Sequence, residues 1–413
     1  MKKRIMSMLL MLTMVFSLIV VPGTTVSAVS YYDTIDTDCE LAVDVLSALG
    51  IMRGYTDGSF LPYNTITRAE MVQIAVNLAG IDGYGEEAPD DMELFNDMYD
   101  YDGWAGGVIA MAKTAGIARG DEDGNFNPDM STTYEEALQM VVSALGYGHQ
   151  AESRGGELKD YVYIAQRLGL TKKLSTSMGQ NITRADVAKL VYAALTVDLM
   201  LPVSYSVDGT VVTYEAQEGV NALNTYFDVY EVKGIITENE YAAIDGETTV
   251  EELQVLINGE AFNVGSTDIA NYLGYYATVY ALDGEDATEN RTVVAYSIKN
   301  VKNNTITITD ENLESVTSTV EGYSFEYWVN KDTDKKTKEA TTSTTPMVLY
   351  NGKAVIDVTD SILTPENGHV VLIDNNGDDD YDIIDIWEYE LVYVFSASQT
   401  SGNVSGYYDR ATT

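Results

Sequence analysis

Two arginines stand where a guanidinium can meet an anion. Arg68 follows Thr67 and Arg184 follows Thr183, and each threonine is placed to cap a helix whose first turn carries Glu70 or Asp186. An arginine at such a start lies beside free backbone N–H groups and the positive end of the helix dipole. That combination suits a carboxylate, which arginine grips with two parallel bonds while N–H groups take further lone pairs. The plainer reading is an exposed arginine paired with a nearby acid in a very acidic chain.

A second candidate is the run Asp374-Asn375-Asn376-Gly377-Asp378-Asp379-Asp380-Tyr381-Asp382. Asp374, Asn376 and Asp378 put side-chain oxygens at alternate positions. The Asp380 carbonyl, Asp382 and Asp385 then complete an order resembling a D-x-N-x-D calcium loop of the EF-hand or dockerin kind. Asp379 stands where glycine is usual, the last ligand is aspartate rather than glutamate, and strands rather than helices flank the run. A solvated acidic β-turn is the other reading. Calcium is the one cofactor the chain suggests. Catalytic sets are thin. His149 and His369 are the only histidines, neither in metal or nucleophile spacing, and Cys39 is alone in a helix start.

The elements that position the arginines repeat. Gly50-Ile51-Met52-Arg53-Gly54-Tyr55-Thr56-Asp57-Gly58-Ser59-Phe60-Leu61-Pro62 recurs as Gly116-Ile117-Ala118-Arg119-Gly120-Asp121-Glu122-Asp123-Gly124-Asn125-Phe126-Asn127-Pro128. Each copy lies between Ala/Leu-rich stretches of helical period. Before the first, Leu41, Val45, Leu46 and Leu49 mark a helix face that Gly50 ends. After it, Met71, Ile74, Ala75 and Leu78 mark another, opened by the Thr67/Glu70 capping box. Around the second copy, Trp104-Ala105 opens a helix carrying Val108, Met111, Ala112 and Ala115. Thr133 and Glu136 then cap one carrying Leu138, Val141, Val142 and Leu145. A third unit has a helix from Tyr161 to Leu168 and another opened by Thr183-Arg184-Ala185-Asp186, but the D-G-x-F-x-P loop between them is replaced by 171–181.

The chain has 413 residues, 64 acidic against 24 basic, a net charge of -40 and one cysteine. That balance disfavours nucleic acid and anionic lipid and fits a self-repelling surface protein. Lys2, Lys3 and Arg4, the apolar run Ile5–Val21, Pro22-Gly23 and the small residues Val26-Ser27-Ala28 read as an export signal over 1–28, with no membrane segment after cleavage. With one cysteine, an exported chain relies on packing or metal rather than internal disulfides. From Pro202 the pattern turns to strands, eight of them between Tyr226 and Phe395, rich in β-branched residues and tyrosine. Asn258-Gly259 and Asn351-Gly352 are hairpin signals, and Lys331–Thr345 reads as a charged loop.

The T-R-A-E-type motif, the G-I-x-x-G-x-x-D-G-x-F-x-P loop, the Trp-Ala helix start and the leads Tyr31-Tyr32-Asp33 and Phe95-Asn96-Asp97 resemble a tandem of S-layer homology domains over about Val29 to Leu199. Asp38-Cys39 in place of Trp-Ala, Tyr134 in place of the motif arginine, and the lost third loop depart from the pattern. The expected fold class is α + β and multidomain: an all-α triplet forming a pseudo-threefold bundle, at 29–90, 91–155 and 156–200, then one or two all-β modules at 201–413. The resemblance implies binding of a secondary cell-wall polysaccharide, typically bearing a pyruvate-ketal N-acetylmannosamine, in inter-repeat grooves. It carries over Arg68 and Arg184 for the ketal carboxylate, Gly54 and Gly120 for close approach of the sugar, and Trp104 as a groove wall. A groove relying on Tyr134 should be impaired. The chain is therefore expected at a Gram-positive-type cell wall, as a non-enzymatic S-layer or adhesive protein able to self-associate. The alternative is a wall-anchored glycan hydrolase with its catalytic part in or beyond the β region.

Overall fold

A computed structural model describes residues 31–81, 94–99, 101, 103–205, 211–244, 247–284, 289–299, 302–390, 392–398 and 403–408. The export signal read at 1–28 lies outside the described residues. Helices fill the N-terminal half and strands the C-terminal half, an α + β chain. The helices are α1 Glu40–Ala48, α2 Arg68–Leu78, α3 Gly106–Thr114, α4 Tyr134–Ala144, α5 Gly148–Glu152, α6 Leu158–Arg167 and α7 Arg184–Ala194. No helix among the described residues is long and apolar enough to cross a membrane.

Local chemistry explains where these helices begin and end. Thr67 and Glu70 close one capping box, and Thr133 and Glu136 another. At α7, Thr183 accepts the Asp186 N–H, but the return bond is missing. Asp186 is a methylene shorter than glutamate and turns instead to the loop that precedes α7. Gly50 and Gly116 end α1 and α3 with φ of 70° and 71°, where a side chain would be strained. The helix read from Tyr161 starts three residues earlier, because Glu157 and Asp160 form a capping box of their own.

The three segments are joined by backbone hydrogen bonds in a closed cycle. In α2, Arg68 N–H donates to the Met130 carbonyl and Ala69 N–H to that of Pro128. Tyr134 N–H, opening α4, donates to Gln180, and Arg184 and Ala185, opening α7, donate to Asn64 and Pro62. Short bridges Thr67–Ser131, Thr133–Asn181 and Thr65–Thr183 run alongside. Ile66, Thr132 and Ile182 fill the interior of this ring and are fully buried. Thr132 N–H reaches Ile66 O and Ile182 N–H reaches Thr132 O, at 2.9 and 3.0 Å. The Thr132 hydroxyl has no partner there.

An ion group centred on buried Lys189 links the third and first segments. Lys189, 5% exposed, donates to Asp186 at 2.8 Å and to Asp38 at 2.9 Å. Asp186 also accepts from Ser175 N–H, Thr176 N–H and the Thr176 hydroxyl. Those bonds pin the loop that replaces D-G-x-F-x-P. Burial opposes charge on both groups. On Asp186 the bonds from Lys189 and Thr176 outweigh it and hold the carboxyl below its usual range, while Asp186 and Asp38 hold Lys189 above its own.

The strands begin at Asp198 rather than Pro202. β1 Asp198–Tyr205 and β2 Val211–Asn221 form an antiparallel hairpin, and helix α8 Ala222–Tyr226 follows. β3 Val229–Asn239, β4 Gln254–Ile257, β5 Glu260–Asn263, β6 Tyr276–Leu282 and β7 Thr292–Ser297 close a barrel in the order β3-β4-β5-β7-β6. By contacts the chain divides into a compact unit of 1–231, 265–267 and 280–296 and a second of 232–264, 268–279 and 297–413.

In the second unit, β8 Asn304–Thr309, β9 Leu313–Thr319, β10 Gly322–Tyr327, β11 Lys338–Tyr350, β12 Lys353–Ala354, β13 Gly368–Asp374 and β14 Tyr381–Glu388 make one sheet, ordered β8-β13-β14-β11-β10-β9 with β12 on β11. A flat six-strand sheet would separate its edges by about 24 Å. Residues 310–312 alone join β8 to β9, a reach of roughly 10–14 Å. The sheet is therefore curled, around Phe325, Leu372, Ile384 and Ile386. Lys331–Thr345, read as a loop, contributes its last eight residues to β11, where β-branched threonines suit a pleated strand. The last part of the strand-rich region, from Gly368, is β13, an acidic turn, β14 and β15 Val392–Ser398, which pairs with β16 Asn403–Tyr408. Both Asn-Gly pairs turn hairpins with positive φ at each residue.

Two outcomes follow. Thr132→Val removes an orphaned hydroxyl from an apolar ring at nearly constant shape, so it should stabilise the helical part by about 1 kcal/mol in denaturant unfolding; destabilisation would show that the hydroxyl has a partner. Asp186→Ala should cost about 3 kcal/mol at pH 7, because Lys189 loses its buried counter-charge. A carboxyl depressed on folding stabilises above its unfolded pKa and ceases to as pH falls through the folded value. The gap between parent and variant should therefore shrink below about pH 4, and a gap constant down to pH 2 would contradict the assignment.

Candidate functional site

The arginines come to the junctions between segments, and both are buried, Arg68 7% and Arg184 5% exposed. The same atoms hold both. Arg68 Nε donates to Phe126 O at 2.7 Å and Nη2 to Arg119 O at 3.0 Å. Arg184 Nε donates to Phe60 O at 2.9 Å and Nη2 to Arg53 O at 2.8 Å. Each guanidinium lies over the loop phenylalanine, Phe126 at 4.7 Å and Phe60 at 4.6 Å, and Arg184 also faces Tyr55 at 5.1 Å. The backbone N–H groups expected to be free beside them are occupied, since those of Arg68, Ala69, Arg184 and Ala185 all bond to the neighbouring loop. Helix-start donors are thus spent on assembly, Arg68 Nη1 donates to Glu136 Oε1, and Arg184 Nη1 has no protein partner among the described residues.

The loop beneath each arginine is built by an aspartate from the segment lead. Asp33 accepts from Phe60 N–H and Leu61 N–H, both at 2.8 Å, and Asp97 accepts from Phe126 N–H at 2.8 Å and Asn127 N–H at 2.7 Å. These clamps hold Leu61 and Asn127 at φ of 55° and 57°. A left-handed leucine is costly, roughly 1–2 kcal/mol, and two charge-assisted bonds offset it. Asp57 and Asp121 turn the tips. Bonds from Ser59 hydroxyl and N–H, and from Asn125 N–H and the Asn127 side chain, keep the two carboxyls below their usual range.

The glycines and the tryptophan serve packing. A Cβ on Gly54 would collide with the Tyr31 ring and the Ser59 carbonyl, and Tyr31 hydroxyl accepts the Gly54 N–H. At Gly120 a Cβ would sit 3.0 Å from Phe95. The space expected for a sugar at these glycines is therefore taken by the lead aromatics. Trp104 is half-buried and packs on the helical core. Tyr134, in the arginine position of the second segment, is buried at 6% exposure. Beside it Glu135 accepts the Gly179 N–H at 2.8 Å. That junction has a phenol and a carboxylate where the others have a cation.

The acidic run forms the turn between β13 and β14. Among the described residues no group of three or more His, Cys, Asp or Glu side chains is arranged around a metal position. Asp374 is 1% exposed and accepts three backbone N–H groups, from Asn376, Gly377 and Asp379. Asn376 and Asp378 each accept the N–H two residues on, and Asp380 accepts from Thr341. Asp382 takes Asn375 N–H and the Asn376 amide, while Asp385 lies further along β14 and accepts from Trp387. Burial pushes both Asp382 and Asp385 up from the usual carboxylate range. The residues with calcium-like spacing fold as a tight turn onto one buried aspartate, Asp374.

Residues 30–72 and 94–138 match the S-layer homology domain. The matched segments carry the Asp33 and Asp97 clamps and both complete loops; Arg68 lies in the first, and Glu136 in the second. Relatives include a middle cell wall protein of Brevibacillus brevis, 29% identical over 61% of this chain and 22% of its own length. A cell surface protein of Thermoanaerobacter kivui is 28% identical over 81% of this chain and 39% of its own. An exoglucanase, XynX, of Acetivibrio thermocellus is 32% identical over 42% of this chain and 17% of its own. The chain thus spans well under half the length of these relatives. Asp33, Asp97 and Glu136 are the site-building residues that spacing alone passed over. The leads were visible as Tyr-x-Asp and Phe-x-Asp, but not the N–H groups they bind.

Asp374→Ala should lower the melting of the β region in calcium-free buffer, by about 2 kcal/mol or more for three N–H groups left without their carboxylate. Millimolar calcium should leave the parent's melting unchanged. A calcium-dependent rise abolished by Asp374→Ala would restore the metal reading.

Proposed function

We propose that this chain holds an exported protein on a bacterial cell wall. Its three helical segments form a tandem S-layer homology triplet with pseudo-threefold arrangement, including the divergent third segment. The grooves between segments bind an acidic secondary wall polysaccharide through its pyruvate-ketal carboxylate. The β modules extend outward as an S-layer or adhesive part, able to associate with further copies. The chain is not itself an enzyme in this reading.

The observation that carries the reading is Arg184. Its Nε and Nη2 are fixed on backbone carbonyls and its guanidinium lies near two aromatic rings, Phe60 and Tyr55. Among the described residues it has no carboxylate partner, and Nη1 is not one of the sealed, unpartnered atoms. A guanidinium locked on one side and open on the other recognises an anion with little ordering cost. The closed cycle of bonds supports the triplet, and the cell wall and cell surface relatives support the location. The exoglucanase relative favours a second reading, a wall-anchored hydrolase; release of reducing ends from purified wall glycan would establish it.

Binding to purified wall carries the test. The double variant Arg68→Ala/Arg184→Ala should lose sedimentation with pyruvylated wall glycan while keeping its helical circular dichroism, and the parent should fail to bind glycan stripped of ketals. A folded double variant that binds like the parent contradicts the reading.

A further inference from the structure

Arg68 and Arg184 are held by the same three kinds of contact, and they differ at one nitrogen. Arg68 Nη1 donates to Glu136 Oε1 at 2.5 Å, an ion pair whose side chains are 8% and 27% exposed. Arg184 has no such pair among the described residues. The neighbouring motif acid at its junction is Glu70, whose Oε2 accepts from the N–H and hydroxyl of Thr67. Glu136 does both jobs. Its Oε2 accepts from Thr133 N–H and hydroxyl, at 2.8 and 2.9 Å, while Oε1 reaches across the junction to Arg68.

We infer that Glu136 is a built-in competitor occupying the anion position of the Arg68 groove, so that Arg184 alone takes a ligand carboxylate in the unaltered protein. This rests on the proposed reading of the grooves and adds which of them is open. An incoming carboxylate at Arg68 must displace one already in place and leave it uncompensated beside the ligand's own charge. Like charges so close disfavour joint occupancy. At Arg184 nothing has to leave. At Tyr134 there is no cation to compete for, and Glu135 adds a repelling charge.

Glu136→Gln isolates the point. Glutamine at this position can still accept the Thr133 N–H and close the capping box, so α4 keeps its start while the competing charge goes. Titration calorimetry with a methyl glycoside carrying one pyruvate ketal is the readout. The parent should bind one equivalent. Arg184→Ala should weaken it by roughly 10- to 150-fold, the range for losing a hydrogen bond to a charged group. Glu136→Gln should bind two equivalents, and Glu136→Gln/Arg184→Ala one. A parent that binds one equivalent while Glu136→Gln also binds one overturns the inference and leaves the groove reading standing. A parent and a Glu136→Gln variant that both fail to bind overturn the two together. NMR of the unaltered protein guards against a misfolded variant: the Arg184 Nε–H signal should move on titration and that of Arg68 should stay, and equal movement of both contradicts the inference.

Discussion

The whole helical half depends on where three helix starts send their backbone N–H groups. A helix leaves its first donors unsatisfied, and buried donors must find partners. Here each start gives them to carbonyls of the next segment's loop: Arg68 and Ala69 to Met130 and Pro128, Tyr134 to Gln180, Arg184 and Ala185 to Asn64 and Pro62. Each threonine cap takes one N–H of its own helix, but the first donors go to the next segment, so no segment closes alone. The same geometry swings the side chain at the first helical position onto the neighbouring loop, which is why arginines there meet carbonyls and aromatic faces rather than water.

The loops must therefore be stiff, and the sequence spends its repeated residues on that. The two leads supply an aspartate that clamps consecutive N–H groups and an aromatic that packs on the loop glycine. In the third segment, which lacks the loop, Asp186 gathers the N–H groups of Ser175 and Thr176 and ties Lys189 to Asp38 across the closing junction. A different set of bonds thus meets the same requirement, a fixed loop facing the next helix.

Helix periodicity, the capping boxes and the repeated loop were legible because their physics is local: 3.6-residue spacing, a Thr three residues before Glu, glycines at positive φ. The junctions were not, because they join residues far apart in sequence, as Tyr134 with Gln180 and Arg184 with Arg53. Nothing near Arg68 in sequence announces Glu136, and nothing near Gly54 announces that Tyr31 fills the space above it. The acidic run at Asp374 admits two readings for a related reason. Alternating oxygens serve a cation or serve backbone donors, and the choice lies in how the turn folds. The threonine-rich start of β11 was hidden by its charges.

The central claim is that an anion enters beside a guanidinium held at the junction of the third and first segments. A crystal structure with a pyruvate-ketal glycoside tests it most directly. The account predicts the ketal carboxylate within hydrogen-bonding distance of Arg184 Nη1, flanked by Tyr55 and Phe60. Density for the ketal at the Tyr134 junction, or away from all three junctions, would contradict it.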